Sequence, residues 1–103
     1  MKLMTEEIRA ALPPLYSTED VPLADKVVLA KFFNPCGAGT WLATEFDGED
    51  LFFGWAEIAP GYGEWGYFSL SELSGVTLPF GLGIERDVYF GTRKFGETEY
   101  ATR

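Results

Sequence analysis

Three apolar runs separated by short turns constrain the fold of this chain most strongly. The runs are KVVLAKFF at residues 26–33, TWLATEF at residues 40–46 and LFFGWAEI at residues 51–58, and the links between them are NPCGAG and DGED. β-Branched and aromatic residues favour strands, while Gly, Asn and Asp favour tight reversals of the chain. Because the links are too short for a crossover, the three runs are predicted to form an antiparallel meander.

The predicted strands differ in their expected burial. Residues 26–33 are apolar along most of their length, which indicates a strand that is buried over most of it. Residues 40–46 alternate with a period of two, which is typical of a half-exposed strand. The segment WGYF at residues 65–68 forms either a fourth strand or only part of a Gly-rich loop, and a last strand is predicted at residues 87–90.

Two short helices are predicted from their capping residues. Thr5, followed by two acids, supplies an N-cap and favourable charge, and predicts a helix over residues 5–12 that stops at two prolines. Ser69 and Glu72 have the spacing of a capping box, which predicts a helix of about two turns that ends near Gly75.

The predicted fold class is α+β, with a single antiparallel twisted sheet of about four to five strands and short helices at one face or end. A chain of 103 residues is expected to form one domain, 1–103, with an ordered core over 1–90 and a polar tail over 91–103. Aromatic side chains offer the largest apolar burial. Those expected to be largely buried are Phe32, Trp41, Phe53, Trp55 and Phe68.

Cysteine usage and hydropathy bear on the compartment. The single cysteine, Cys36, has no internal disulfide partner, and the first residues lack the apolar run of a signal peptide. No apolar stretch approaches the roughly 18 residues that would suggest a membrane span. A cytoplasmic protein without a membrane partner is therefore expected.

The charge distribution is strongly negative in the middle of the chain. Sixteen acidic residues stand against eight basic ones, and no basic residue lies between Lys31 and Arg86. Direct binding to nucleic acid is disfavoured, because it depends on Lys and Arg neutralising phosphates. Carboxylates in this interval are instead predicted to form one solvated acidic face that binds a basic protein surface. The candidate partner-binding residues are Glu45, Asp47, Glu49, Asp50, Glu57 and Glu64.

The chain offers little for catalysis or for a cofactor. Residues 47–50 supply too few regularly spaced oxygens for a calcium loop. Glu45 and Glu57 could form an acid–base pair across a hairpin, but a sugar-sized cleft is hard to build in so short a chain. No histidine is present to activate Ser69 or Cys36. No catalytic residue, metal or cofactor is therefore assigned.

A glycine motif invites a phosphate-binding interpretation. Residues 61–66, GYGEWG, match the spacing of a dinucleotide-binding loop. The motif lies between apparent antiparallel strands and lacks the strand-to-helix setting that such a loop needs. The glycines are therefore interpreted as turn residues beside bulky rings.

Several segments resemble one family: LPPLYSTEDV, AKFFNP, TWLATEFDGEDLFFGW, GYFSLSEL and PFGLGIERDVYF. Together they resemble a family of small bacterial proteins known as domain of unknown function 2958, over about residues 2–90. GYFSLSEL and IERDVYF are the most specific pieces. The resemblance implies a passenger of plasmids, phages and integrative elements, often near anti-restriction genes, and it implies no activity, cofactor or catalytic residue.

This setting and the charge together predict a small, non-catalytic inhibitor. The expected partner is the basic surface of a host protein such as a nuclease, because spaced carboxylates can occupy a Lys/Arg channel built for phosphates. The inhibitor would be of the anti-CRISPR or anti-restriction type. The alternative is a housekeeping binding module of the element with a protein or small-ligand partner, and an enzyme comes third.

Overall fold

A computed structural model describes residues 2–102 of the chain, so Met1 and Arg103 lie outside the described residues. Within this range the α-helices are α1 Glu6–Ala11 and α2 Leu70–Ser74. The strands are β1 Val27–Val28, β2 Ala30–Phe33, β3 Thr40–Phe46, β4 Leu51–Glu57, β5 Gly63–Ser69, β6 Glu85–Arg86 and β7 Arg93–Lys94. Short 3-10 helices occupy Leu23–Asp25, Pro79–Gly81, Phe95–Glu97 and Glu99–Thr102.

The main sheet is antiparallel and has five strands in the order β5-β4-β3-β2-β6. A second, two-stranded sheet joins β1 to β7. The predicted α+β class is therefore confirmed, with most of the regular structure in strands. The meander of β2, β3 and β4 is confirmed as well, because β2 pairs with β3 and β3 pairs with β4 in antiparallel register.

The open question about WGYF is settled in favour of a strand. β5 runs back along β4 with an unbroken register from Leu51 opposite Ser69 to Glu57 opposite Gly63. The β4–β5 hairpin is thus the longest in the sheet. It leaves β5 at one edge of the sheet, with β4 on its inner side.

Two strand predictions need correction. The run at residues 26–33 is split at Leu29, since β1 turns away to pair with β7 while β2 stays in the main sheet. The last strand is β6 at Glu85–Arg86 rather than residues 87–90. The Asp87 side chain accepts a hydrogen bond from the Tyr89 amide at 3.0 Å, and such a local bond favours a turn over a strand.

One face of the sheet carries a core built around phenylalanine rings, which we call the first core. The Phe52 ring lies 5.5 Å from Phe32, 4.6 Å from Phe46 and 5.2 Å from Phe68, measured between ring centroids. Phe46, Phe52 and Phe68 occupy one register line across β3, β4 and β5. Leu73 of α2 packs into the same cluster, so α2 covers part of this face.

The opposite face carries a second core. Trp55 contacts Phe95 and Tyr100, with ring centroids 5.7 Å and 5.2 Å away, and Trp65 packs edge-on against Phe95 at 4.8 Å. Phe95 and Tyr100 are buried, at 7% and 6% exposure. The expectation of a polar tail after residue 90 is therefore wrong for residues 93–102, because two buried aromatic side chains attach this segment to the sheet. These two residues are too widely spaced to produce a hydrophobic period in the sequence.

The prediction of core aromatics is confirmed in part. Phe32, Trp55 and Phe68 are buried, whereas Trp41 and Phe53 are half-buried. The expectation that β3 is half-exposed is wrong, since its residues from Leu42 to Phe46 are all buried. Both faces of the sheet are covered at β3, so the residues that alternate along this strand are buried on either face.

Both helix caps are confirmed. Thr5 accepts a hydrogen bond from the Ile8 amide at 3.1 Å, and the Ser69 hydroxyl accepts one from the Glu72 amide at 3.1 Å. The same hydroxyl donates to the Glu72 carboxylate at 2.8 Å. Gly75 follows α2 as its C-cap.

Removal of the α2 cap should weaken the fold. Ser69→Ala deletes the acceptor of the Glu72 amide, and N-cap losses of this kind destabilise by about 0.5–2 kcal/mol. Urea unfolding of this variant beside Ser74→Ala, which changes an exposed residue of the same helix, measures the effect. Equal stability of the two variants would contradict a capping role for Ser69.

Candidate functional site

The six predicted partner-binding acids do not share one surface. Asp47, Glu49 and Asp50 lie in the β3–β4 turn, at the end of the sheet where α2 begins. Glu57 and Glu64 lie at the other end of β4 and β5, about 20 Å away at the usual rise per strand residue. Glu45 lies within β3. The acids therefore fall into separate groups.

Glu45 is a buried structural carboxylate, with 3% of its surface exposed. It accepts hydrogen bonds from the Tyr16 amide at 2.8 Å and from the Thr18 amide at 3.1 Å, and the Thr18 hydroxyl also donates to it. Lys26, which is buried as well, donates to the Thr18 carbonyl at 2.5 Å and to the Thr18 hydroxyl at 2.9 Å. Glu45 thereby fastens the segment before β1 to the sheet.

Glu57 is also buried, at 5% exposure, and accepts a hydrogen bond from the Gly61 amide at 3.3 Å. The prediction of one solvated face is therefore wrong for Glu45 and Glu57. The two carboxylates do not form an acid–base pair either. Glu45 is opposite Phe53, which lies four residues before Glu57, so the two are about 13 Å apart along the sheet with Trp55 between them.

The carboxylate of Asp47 organises the β3–β4 turn. It accepts hydrogen bonds from the amides of Glu49 and Asp50 at 2.8 Å and of Leu51 at 3.0 Å. Backbone hydrogen bonds from Glu49, Asp50 and Leu51 lower the pKa of Asp47 below its ordinary value, because they favour the charged form. The turn and its negative charge therefore depend on each other.

The turn should lose this support in acid. Because the pKa of Asp47 is lower in the folded chain, its stabilising effect is present above the unfolded value of about 3.9 and is lost as the pH falls through the folded value. Urea unfolding of the wild type and Asp47→Asn should show a stability difference at neutral pH that shrinks below pH 3.8. If the stability difference between the wild type and Asp47→Asn stays constant down to about pH 2, the charge of Asp47 does not support the turn.

Asp50 connects the turn to α2. Its carboxylate accepts hydrogen bonds from the Ser71 amide at 2.8 Å and the Ser71 hydroxyl at 2.7 Å. On the other side, Arg9 of α1 donates to the Gly48 carbonyl at 2.6 Å. The turn thus lies between α1 and α2.

Three contacting elements, α1, the β3–β4 turn and α2, carry acids at this end of the sheet. Glu6 lies one helical turn before Arg9 in α1, and Glu72 follows Ser71 in α2. All but Asp50 are exposed, and Asp50 is half-buried. We call this group the acidic end; it consists of Glu6, Asp47, Glu49, Asp50 and Glu72.

A second feature, which the sequence did not reveal, is an aromatic cleft of about 350 Å³ on the face of the second core. It forms where the segment around Tyr16 crosses β4 and β5. Tyr16 and Tyr67 are largely exposed there, with ring centroids 6.5 Å apart. The residues lining this aromatic cleft are Tyr16, Glu19, Leu23, Lys26, Glu45, Phe53 and Tyr67.

The aromatic cleft has a constrained wall, and its lining includes two acids, Glu19 and Glu45, and one base, Lys26. Tyr16 has φ +69°, a left-handed conformation that is uncommon for a bulky residue, and its amide is held by Glu45. The pKa of Tyr67 is raised, first by a hydrogen bond with the Tyr16 side chain, and the charges of Glu45 and Glu19 add to the shift. No pattern within residues 14–26 signals this arrangement, because it depends on contacts between distant segments.

The glycine motif at residues 61–66 shapes the β4–β5 hairpin. Gly61 has φ +83°, and a Cβ atom on Gly63 would lie 2.1 Å from the Trp55 ring. A side chain at Gly63 would therefore collide with the second core. No helix N-terminus follows the motif, since β5 continues from Gly63 to Ser69. The interpretation of the glycines as turn residues therefore agrees with Gly61, but it is wrong for Gly63 and Gly66, which lie within β5. The expected closeness to a bulky ring is confirmed for Gly63.

Residues 2–102 contain no group of three or more Cys, Asp or Glu side chains placed to hold a metal ion. In the same range, none of the helices is long and apolar enough to cross a membrane.

The family model described as "Protein of unknown function (DUF2958)" matches residues 3–102. The chain belongs to this family. Comparisons with curated proteins and with solved structures give no significant match. The quoted sequence motifs resemble the family only up to about residue 90, whereas the family model extends to residue 102. It therefore includes Phe95 and Tyr100 of the second core. Because the description of the DUF2958 family names no activity, the function must be argued from the acidic end and the aromatic cleft.

Proposed function

We propose that this chain is a small, non-catalytic protein that uses its acidic end to bind a basic surface of another protein. The observation that supports the proposal is that three elements in contact at one end of the sheet, α1, the β3–β4 turn and α2, each carry acidic residues. Asp47 and Asp50 are held in place by neutral amide and hydroxyl donors, and within residues 2–102 neither carboxylate forms a salt bridge.

The overall charge favours the same kind of partner. The chain has a formal net charge of −8, and Arg9 is the basic side chain that contacts the β3–β4 turn within residues 2–102. Spaced charges of one sign raise the rate at which an oppositely charged surface is encountered and select against acidic partners. A basic protein surface therefore suits the acidic end better than nucleic acid or an anionic membrane.

Within this class we propose an inhibitor of a defence or nucleic-acid-processing protein, of the anti-CRISPR or anti-restriction type and carried by a bacterial mobile element. Rigidly held carboxylates can take the place of phosphates in a Lys/Arg channel. The alternative is a housekeeping binding module of the element. The two differ in whether bound partner remains able to take up DNA.

Charge reversal at the acidic end should strongly weaken partner capture without unfolding the chain. Glu49 is the suitable position, because it is exposed, whereas Asp47 and Asp50 support the turn and α2. Glu49→Lys should reduce capture of basic proteins from a bacterial lysate at least about tenfold and leave the melting temperature nearly unchanged. Wild-type capture should itself weaken as salt is raised.

Asp20→Lys is the matched control, since it makes the same change in net charge at an exposed position that belongs neither to the acidic end nor to the lining of the aromatic cleft. Equal loss of capture in both variants would show that net charge, rather than the acidic end, determines binding. Duplex DNA added to the captured complex then separates the two functions. DNA should compete with an inhibitor for its partner, and persistence of a ternary complex would favour the binding module.

A further inference from the structure

β5 is a long edge strand that other segments leave open. It has seven residues, pairs with β4 on one side, and within residues 2–102 no strand pairs with its other side. The opposite edge, β6, has only two residues. Natural sheets normally shorten, cover or distort such edges, because a free edge is a template for another strand.

The hydrogen-bond register shows which groups of β5 face outward. The Leu70 amide donates to the Asp50 carbonyl at 2.8 Å, in line with the register of β4 and β5. Because antiparallel bonding alternates, Gly66 and Phe68 bond to β4, while the amide and carbonyl groups of Trp65 and Tyr67 point away from it. These groups are free to bond to an added strand.

A cleft lies on each side of this edge. The aromatic cleft reaches Tyr67 on the face of the second core. A cleft of about 350 Å³ on the other side is lined by Ile58, Tyr62 and Glu64, among others. Successive side chains of a strand point to opposite faces, so an added strand would send alternate side chains into the two clefts. This is the usual arrangement in recognition of a peptide by strand addition.

We propose that β5 binds an extended, basic peptide segment of another protein, which extends the main sheet by one strand. This surface is distinct from the acidic end and does not depend on the function proposed for it. Each cleft contains an exposed acid, Glu19 in the aromatic cleft and Glu64 in the other, whereas Glu45 and Lys26 of the aromatic cleft are both buried and bound to Thr18. Lysine or arginine side chains of the peptide gain both these exposed charges and the ring faces of Tyr16 and Tyr67.

Charge also argues against a second copy of this chain as the occupant. Two copies with a formal net charge of −8 each would repel one another on approach. Like charges near a strand interface are destabilising, whereas a peptide with alternating cationic side chains has the complementary sign.

Amide hydrogen exchange of the wild-type chain tests the proposal. The probe is a short synthetic peptide of alternating lysine and valine, and the control peptide carries glutamate in place of lysine. The lysine peptide should slow exchange of the Trp65 and Tyr67 amides about tenfold or more. The Gly66 and Phe68 amides, which already bond to β4, serve as internal references. Unchanged exchange at Trp65 and Tyr67, or equal slowing by both peptides, overturns the proposal.

Two variants of one residue separate backbone pairing from side-chain contact. Tyr67→Pro and Tyr67→Ala both remove the ring, but only proline also removes the outward amide, and that amide makes no bond to β4. Tyr67→Ala should retain measurable affinity for the lysine peptide, and Tyr67→Pro should lose it. Equal affinity in these variants overturns strand addition. Slow exchange at Trp65 without peptide, with a dimer in sedimentation, would instead assign the edge to a second copy.

Discussion

Replacing Phe52 by alanine should lower the free energy of unfolding by about 3–5 kcal/mol, the range for truncating a buried phenylalanine. Phe52 has no exposed surface, and its ring contacts those of Phe32, Phe46 and Phe68. The truncation leaves a cavity among three rings carried by β2, β3 and β5, and the paired strands limit how far these rings can move to fill it. Urea unfolding followed by tryptophan fluorescence measures the loss.

Phe53→Ala is the control for this prediction. Phe53 is the next residue of β4 and therefore points to the other face, where it is only half-buried in the aromatic cleft. Its truncation removes the same atoms but leaves a site open to water, so we expect a clearly smaller loss. Equal losses for the two variants would show that Phe52 is not the centre of the first core.

Features of the fold that depend on contacts between residues close in the chain could be predicted from local patterns in the sequence. The Thr5 and Ser69 caps depend on side chains three residues from the amides they bind, and both are present. The β2–β3–β4 meander depends on apolar runs joined by short turns. Even the β3–β4 turn, with Asp47 followed by Gly48 at φ +91°, follows from residue types alone.

Contacts between distant segments were not accessible from these patterns. Phe95 and Tyr100 carry no period, yet they cover Trp55 on the second core. β1 leaves the main sheet because its partner, β7, lies more than sixty residues later in the chain. The positive φ of Tyr16 likewise depends on a carboxylate in β3.

The acidic residues illustrate the same limit on the site. Their lack of basic neighbours in the sequence predicted a solvated face, but a chain segment can supply partners other than charges. The backbone amides of Tyr16 and Thr18 bind Glu45, and the Gly61 amide binds Glu57. Conversely, α1 and α2, which carry Glu6 and Glu72, contact the β3–β4 turn, and spacing along the chain does not show this. The acidic end is therefore a product of the fold.

Glu45→Ala should destabilise the chain by about 2–4 kcal/mol, although alanine suits the interior of a protein. The variant leaves the Tyr16 and Thr18 amides, whose bonds to Glu45 are partly buried, without their acceptor. An unpaired donor costs about 1–3 kcal/mol when it is fully buried and less when water can reach it. It also removes the carboxylate that binds the Thr18 hydroxyl, through which buried Lys26 is connected to β3. Thermal unfolding measures the loss of stability, and faster hydrogen exchange of the Tyr16 and Thr18 amides reports the loss of their acceptor.

Glu19→Ala is the matched control, because Glu19 lines the same aromatic cleft with an exposed side chain. Its removal should leave the free energy of unfolding within about 0.5 kcal/mol of the wild type, as is usual for surface positions. Glu45→Gln should lie between the two, since one amide oxygen replaces two carboxylate oxygens. If Glu45→Ala is as stable as Glu19→Ala, the carboxylate is not what fastens the Tyr16 segment to the sheet.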